Sequence, residues 1–245
     1  MVETQNYAMI NQKPYKLIEK IKETPDVYTF RFEAADNSRL DFDPGMFVML
    51  TYIDKETKEK ITRAFSIASA PNSDTVDFYI HMVHGRLTSK LENAEVGDIY
   101  YMSGPYGQFK FSSNEDKKVL FIAGGTGIAP FMSMLNKIKN DSLGTDIVLL
   151  YSVRYSNEII KKDELEKLEK EINLKTVVTV TRPQENDNWK GEKGHICQEM
   201  VEKCVGDITG RTAYICGPLQ FVKAMKDMLV SMNVPLDRIK ADVWG

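Results

Sequence analysis

Apolar and polar positions change their rhythm once along this chain, and the change divides it. In Val27-Tyr28-Thr29-Phe30-Arg31-Phe32 the aromatic residues fall on one side of a period-two alternation, which predicts a half-buried antiparallel strand. Similar runs occur at Phe47 to Tyr52 and Val76 to Val83. They are punctuated by Asp43-Pro44-Gly45, Ala70-Pro71-Asn72 and Gly104-Pro105-Tyr106-Gly107, all rich in turn-forming residues. Several short strands with few helical stretches predict a small β-barrel or sandwich.

The rhythm changes after the polar stretch Ser112-Ser113-Asn114-Glu115-Asp116. Val119-Leu120-Phe121-Ile122-Ala123 is continuously apolar, as in a parallel strand covered on both faces. The predicted boundary lies here, giving domains of residues 1–112 and 113–245. Beyond it, Phe131, Leu135 and Ile138 share a helical face, and Ile147 to Tyr151 reads as a strand. Leu165, Leu168 and Ile172 mark a helix, Val177 to Val180 a strand and Tyr214 to Cys216 a short strand; Phe221, Met225, Met228 and Met232 share a last helical face. Strands alternating with helices predict a parallel α/β sheet.

Composition narrows the function classes. The 245 residues suffice for two ordinary domains, and 42% hydrophobic with 27% charged residues is the balance of a folded globular chain. A net charge of -3 argues against broad affinity for nucleic acid. No run approaches the roughly 20 apolar residues of a membrane helix. Met1 to Asn11 lacks the basic and apolar regions of a signal peptide, so a cytoplasmic protein is expected.

The cysteines Cys197, Cys204 and Cys216 are too few for a four-thiolate iron-sulfur cluster. If the chain moves electrons, it hands them to a separate carrier. His81, His84 and His195 lack metal-ligand spacing and read as structural or exposed, so no metal is expected.

Gly124-Gly125-Thr126-Gly127 joins a buried strand to a helix, where backbone N–H groups can approach a diphosphate. It departs from the dehydrogenase fingerprint, because the third glycine would fall on Pro130 and the next strand ends in Arg154 rather than an acid. No P-loop lysine follows. Alone, the loop is also compatible with a simple strand-to-helix turn.

Arg63-Ala64-Phe65-Ser66 offers a guanidinium for phosphate, a ring for an aromatic face and a hydroxyl for a ring nitrogen. Alone it also suits an ordinary strand.

Taken together with Gly85-Arg86-Leu87-Thr88, Gly104-Pro105-Tyr106-Gly107-Gln108-Phe109 and Tyr214-Ile215-Cys216-Gly217-Pro218, the chain resembles the ferredoxin-NADP reductase family from Val27 to Gly245. The resemblance implies an N-terminal antiparallel Greek-key β-barrel that binds FAD and a C-terminal α/β parallel-sheet domain that binds NAD(P)H. It implies that Arg63 holds flavin phosphate, Phe65 packs on the isoalloxazine and Ser66 bonds near N5. Phe65 stands where tyrosine is commoner, so a phenolic hydroxyl is missing.

Gly85, Arg86, Leu87 and Thr88 would open a helix toward the diphosphate, which favours FAD over FMN. Gly125, Thr126 and Gly127 would receive the pyridine nucleotide. Cys216 would lie beside nicotinamide C4, a position that without the resemblance suits a small buried residue. Asp242 would steady charge at N5 near Ser66, and Trp244 would cover the flavin face; in an ordinary last strand Trp244 would be a core residue. Ser66, Cys216, Asp242 and Trp244 would then converge on one flavin ring.

Thr181 and Arg182, with Lys190 and Lys193 nearby, incline the reading toward NADPH, although NADH-using relatives are basic here too. The expected activity is hydride transfer between NAD(P)H and FAD N5, with single electrons passing to or from ferredoxin or flavodoxin. Alternatives are an NAD(P)H:free-flavin reductase with a small-molecule acceptor, and an electron-transfer subunit of a larger oxygenase or iron-sulfur complex.

Overall fold

A computed structural model describes residues 12–184 and 188–244. Met1 to Asn11, the stretch expected to lack signal-peptide character, and Gly245 lie outside them. The chain forms two compact units, one ending at Lys110 and the other beginning at Phe111. The division falls two residues ahead of the expected boundary. Ser112 belongs to the second unit because its N–H donates to the Asp116 carboxylate at 2.7 Å, closing the turn that leads into the parallel sheet.

The first unit contains strands β1 (Lys13–Lys22), β2 (Val27–Ala34), β3 (Phe47–Ile53), β4 (Lys60–Ser66), β5 (Thr75–His81) and β6 (Ile99–Tyr106), with helix α1 (Arg86–Glu92) between the last two. The order is β4-β3-β6-β1-β2-β5, and every pairing is antiparallel. Just past β4, the Ala68 N–H donates to the Asp77 carbonyl of β5 at 2.9 Å, which draws the two ends of the sheet together as a barrel.

The aromatic parity of β2 is realised at Phe30 and Phe32, both fully buried, while Tyr28 is half-buried. Phe32 meets Tyr100 edge-on, with ring centroids 5.5 Å apart. Burying each such ring contributes about 1.5–3 kcal/mol. Arg31, between the two phenylalanines, points the other way and forks onto Asp77 at 2.9 and 2.8 Å while also pairing with Glu19. Gly104-Pro105, expected as turn punctuation, instead lies inside β6, and the chain turns at Gly107.

The second unit contains β7 (Lys118–Gly124), β8 (Asp146–Val153), β9 (Leu174–Val180), β10 (Glu192–Lys193), β11 (Thr212–Pro218) and β12 (Ile239–Trp244). Helices α2 (Ala129–Asn140), α3 (Lys162–Glu171), α4 (Gln198–Val205) and α5 (Leu219–Ser231) connect them. The sheet order is β10-β9-β8-β7-β11-β12, all parallel. From β7 the chain builds outward through β8, β9 and β10, then crosses to the other side of β7 to lay down β11. The topology therefore reverses between β7 and β11, and crevices outside the carboxyl ends of strands at such a reversal are where open α/β sheets receive ligands.

Three details differ from the sequence reading. Ile172, expected on a helical face, is the extended residue that ends α3, and β9 begins at Leu174 rather than Val177. Helix α4 was not anticipated; it buries Met200, Val201, Cys204 and Val205. On α5 the fully covered residues are Val222, Met225 and Leu229, with Phe221, Met228 and Met232 flanking them half-buried.

Candidate functional site

In the first unit, β4 ends the strand order and among the described residues pairs with β3, with Ser66 opposite Phe47 and Arg63 opposite Leu50. Arg63 is exposed, and its guanidinium donates to the neighbouring Thr62 carbonyl at 2.9 Å. Phe65 is half-buried against the first core, its ring tilted 47° to Phe78 at 6.1 Å. The half-buried Ser66 hydroxyl has no hydrogen-bond partner among the described residues. These three residues thus present a cation, part of a ring and a partly exposed hydroxyl along four positions of one strand.

Gly85 caps α1. Its N–H donates to the Thr88 hydroxyl at 2.8 Å, and that hydroxyl donates back to the Gly85 carbonyl at 3.2 Å, so Thr88 holds the turn shut. Leu87 is buried in the barrel core, and Arg86 is exposed in an ion pair with Glu59. Lys90 reaches Asp54 at 3.1 Å, tying the helix to the β3–β4 hairpin. The Asp54 carboxyl is held well below its ordinary range, first by the Thr57 N–H and then by Lys90.

In the second unit the expected residues gather at the carboxyl edge of the sheet. Gly125 has φ +55°, a left-handed conformation, and a Cβ built there meets nothing within 4 Å. It faces open space of the kind a diphosphate would fill. Thr126 is half-buried beside it. Gly127 is required for a different reason: a Cβ would lie 2.2 Å from the Cys216 carbonyl oxygen and 2.6 Å from its carbon. The 3-10 turn Gly125–Ile128 is thereby laid directly on β11.

Cys216 is fully buried, opposite Ala123 of β7 on one side and Asp242 of β12 on the other. Burial pushes its thiol pKa up, and the nearby Asp242 carboxylate adds to the shift, so the group stays protonated. Asp242 is half-buried, and Trp244, opposite Pro218, is 38% exposed rather than a core residue. Cys216, Asp242 and Trp244 therefore come together; Ser66 belongs to the other unit.

Thr181 and Arg182 follow β9 at the same edge. The Thr181 hydroxyl donates to the Val153 carbonyl at 3.3 Å, and Arg182 is exposed. One residue that sequence reasoning missed is Glu158. It holds Arg154 by a fork of 2.8 and 3.1 Å and accepts the Arg154 N–H at 3.2 Å. Its four-residue spacing from Arg154 was the available signal. Phe221 was read only as a helix-face residue, but its ring packs across both Gly124 and Gly217.

Among the described residues no group of three or more His, Cys, Asp or Glu is placed to hold a metal ion. His81 pairs with Asp26 at 2.7 Å, and His84 lies 3.5 Å from Glu92. Among the described residues no helix is long and apolar enough to cross a membrane.

The comparisons with known proteins follow the same division. The oxidoreductase FAD-binding domain matches residues 14–111, and the oxidoreductase NAD-binding domain matches residues 121–227. The glycine betaine monooxygenase reductase subunit of Chromohalobacter salexigens is 32% identical over 237 residues, covering 94% of this chain and 63% of that protein. This chain thus spans a little under two thirds of the length of that relative. The cytochrome b5 reductase domain of Ulva prolifera nitrate reductase superposes with a TM-score of 0.83 at 28% identity, over 94% of this chain and 97% of that one. A ferredoxin NADP+ reductase from Neisseria gonorrhoeae, solved with FAD and NADP, shares the fold with a TM-score of 0.82 at 23% identity, over 95% and 98% of the two chains. Two adjoining domain matches and a shared fold show that this chain, with its FAD-binding and NAD-binding oxidoreductase domains, belongs to the ferredoxin-NADP reductase family.

Proposed function

We propose that this chain takes hydride from a reduced pyridine nucleotide onto FAD and passes the electrons singly to a separate protein acceptor. The observation that carries the reading is the meeting of the glycine loop, Cys216 and Asp242 at the topological reversal of the parallel sheet. FAD, when bound, supplies the conversion from a two-electron donor to one-electron delivery.

The residues present fit both groups. The open left-handed turn at Gly125 suits a nucleotide diphosphate, and the half-buried Ser66 hydroxyl suits a flavin nitrogen. In this reading Arg63 and the opening of α1 from Gly85 to Thr88 engage flavin phosphates, and Phe65 lies against the ring system. Cys216, a neutral thiol, packs beside the nicotinamide without adding charge. Asp242 offers a carboxylate near the changing charge, and Trp244 guards the ring face. Arg182 is the cation offered to a 2′-phosphate, because the charge of Arg154 is already matched by Glu158.

The reductase-subunit relative favours an oxygenase component as acceptor, while ferredoxin or flavodoxin remains the alternative carrier. Free thiols at Cys197, Cys204 and Cys216 suit a reducing compartment such as the cytoplasm. The test is an anaerobic absorbance titration of the purified protein with NADPH and with NADH, followed by a panel of protein and small-molecule acceptors. A tightly held flavin band bleached by either nucleotide supports the reading. Absence of a flavin band after adding FAD refutes it, and flavin that dissociates at each turnover favours the free-flavin reductase.

A further inference from the structure

The carboxyl end of β12 carries Asp242 and Trp244, and apart from its ladder with β11 the strand has little apolar packing to fix its register. It lies at the edge of the sheet, and Ala241, Val243 and Trp244 are exposed. Only Ile239 packs its apolar side chain against the second core, and only partly. Strand register is usually specified by a buried apolar face, and strands without one slip easily.

What β12 has instead is Lys240. It stands opposite Tyr214 in the same ladder that sets Asp242 opposite Cys216 and Trp244 opposite Pro218. Its ammonium donates to the Tyr214 hydroxyl at 2.7 Å, lies 4.7 Å above the Tyr214 ring and stands 3.6 Å from the Asp116 carboxylate. Tyr214 in turn donates to Asp116 at 2.5 Å. Asp116 is 1% exposed and Tyr214 fully buried, so a carboxylate held out of water, and already accepting from the Ser112 N–H and the Tyr214 hydroxyl, is met by the Lys240 ammonium. A two-residue slip would carry Asp242 and Trp244 about 6–7 Å along the strand; in one direction it would set the Asp242 carboxylate against Tyr214 and Asp116, and in the other it would replace the Lys240 ammonium with the larger Arg238 guanidinium.

We infer that Lys240 is a positioning residue: by locking into Tyr214 and Asp116 at the amino edge of the sheet, it sets the register that delivers Asp242 and Trp244 to the opposite, carboxyl edge. The inference rests on the function proposed above for Asp242 and Trp244. Neither Lys240 nor its two partners stands at that edge.

The experiment compares the parent chain with Lys240→Met, Lys240→Arg and Tyr214→Phe by hydrogen exchange of the 239–244 segment and by anaerobic single-turnover flavin reduction. Methionine keeps the apolar stem without the charge. Arginine keeps the charge, and the open cavity of about 430 Å³ that Lys240 borders, with Asp116 and Thr212, gives the larger head room.

The expected result is faster exchange confined to β12 in Lys240→Met, with β7 and β8 unchanged. Its reduction rate should fall roughly tenfold or more while the nucleotide KM changes little, since small misplacements at a reacting centre cost rate. Arginine restores both readouts, and Tyr214→Phe lies between. Unchanged β12 exchange in Lys240→Met overturns the register lock. Faster exchange with an unchanged reduction rate, or exchange that rises equally across β7 and β8, overturns the positioning role. Exchange is read without flavin, so a parent chain that nucleotide fails to reduce defeats the functional reading while the lock itself is still decided.

Discussion

Replacing Gly127 by alanine tests the most constrained contact in the second unit. The added Cβ would meet the Cys216 carbonyl oxygen at 2.2 Å, its carbon at 2.6 Å and the Gly217 nitrogen at 2.9 Å. All three are backbone atoms of a strand paired on both sides, so none can swing aside as a side-chain end would. Overpacking in a close-fitted interior costs about 1–3 kcal/mol, and immovable neighbours put this case near the upper end. About 3 kcal/mol is a roughly 150-fold loss in the folding equilibrium, or about 10 °C in Tm for a domain of this size. Gly125→Ala is the control. It meets nothing within 4 Å and carries only the cost of φ +55°, about 1–2 kcal/mol, while its Cβ enters the space assigned to the diphosphate. Thermal melts followed by circular dichroism should therefore rank Gly127→Ala well below Gly125→Ala. Nucleotide titration of the folded variants should show the larger loss of affinity in Gly125→Ala. A Gly127→Ala melt within about 2 °C of the parent would refute the reasoning, since that allows less than about 1 kcal/mol.

Two further predictions follow from charges at the same edge. Glu158→Gln removes a carboxylate that pairs with Arg154 and so makes the strand end more positive by one charge. The KM ratio of NADH to NADPH should rise about tenfold, the scale of one charge-assisted hydrogen bond; a ratio unmoved by the substitution would put Arg154 outside the 2′-phosphate's reach. Cys216 has its thiol pKa raised by burial and by Asp242, whereas in the unfolded chain it ionises near pH 8.5. The folded state thus holds a proton that the unfolded state releases. This contribution to stability is fully present below about pH 8.5 and is lost as pH rises toward the native value. Denaturant midpoints measured at pH 7.5 and 9.5 should fall more for the parent than for Cys216→Ala, and equal slopes would contradict the assignment.

The fold was legible where burial on one or both faces writes a pattern. Phe30 and Phe32 announce β2 because a barrel interior accepts only one parity, and Val119 to Ala123 announce β7 because helices cover both of its faces. β12 left no such trace. Its outward residues sit at a sheet edge, and what defines it is the contact of Lys240 with Tyr214 and Asp116, which no local window brings together. The glycine loop was recognised, but the separate demands on Gly125 and Gly127 were not. One is set by backbone conformation and the other by the strand lying beneath it, and both look the same as letters. Glu158 escaped notice because an acid next to a charged helix start resembles any solvated position. Thr88 was read toward a ligand, whereas its hydroxyl is first of all the closure of its own helix turn.

The reversal between β7 and β11 has a consequence for how the chain comes off the ribosome. β7, β8, β9 and β10 are made first and can pair in the order in which they emerge. The far side of β7, a buried apolar strand in the finished sheet, then waits for β11, whose first residue follows its own register partner Val119 by more than ninety positions. During that interval the nascent chain displays an unpaired apolar strand edge of the kind that invites pairing with other chains. Synthesis pauses between residues 124 and 212 should therefore favour aggregation, and those after β11 has paired should not.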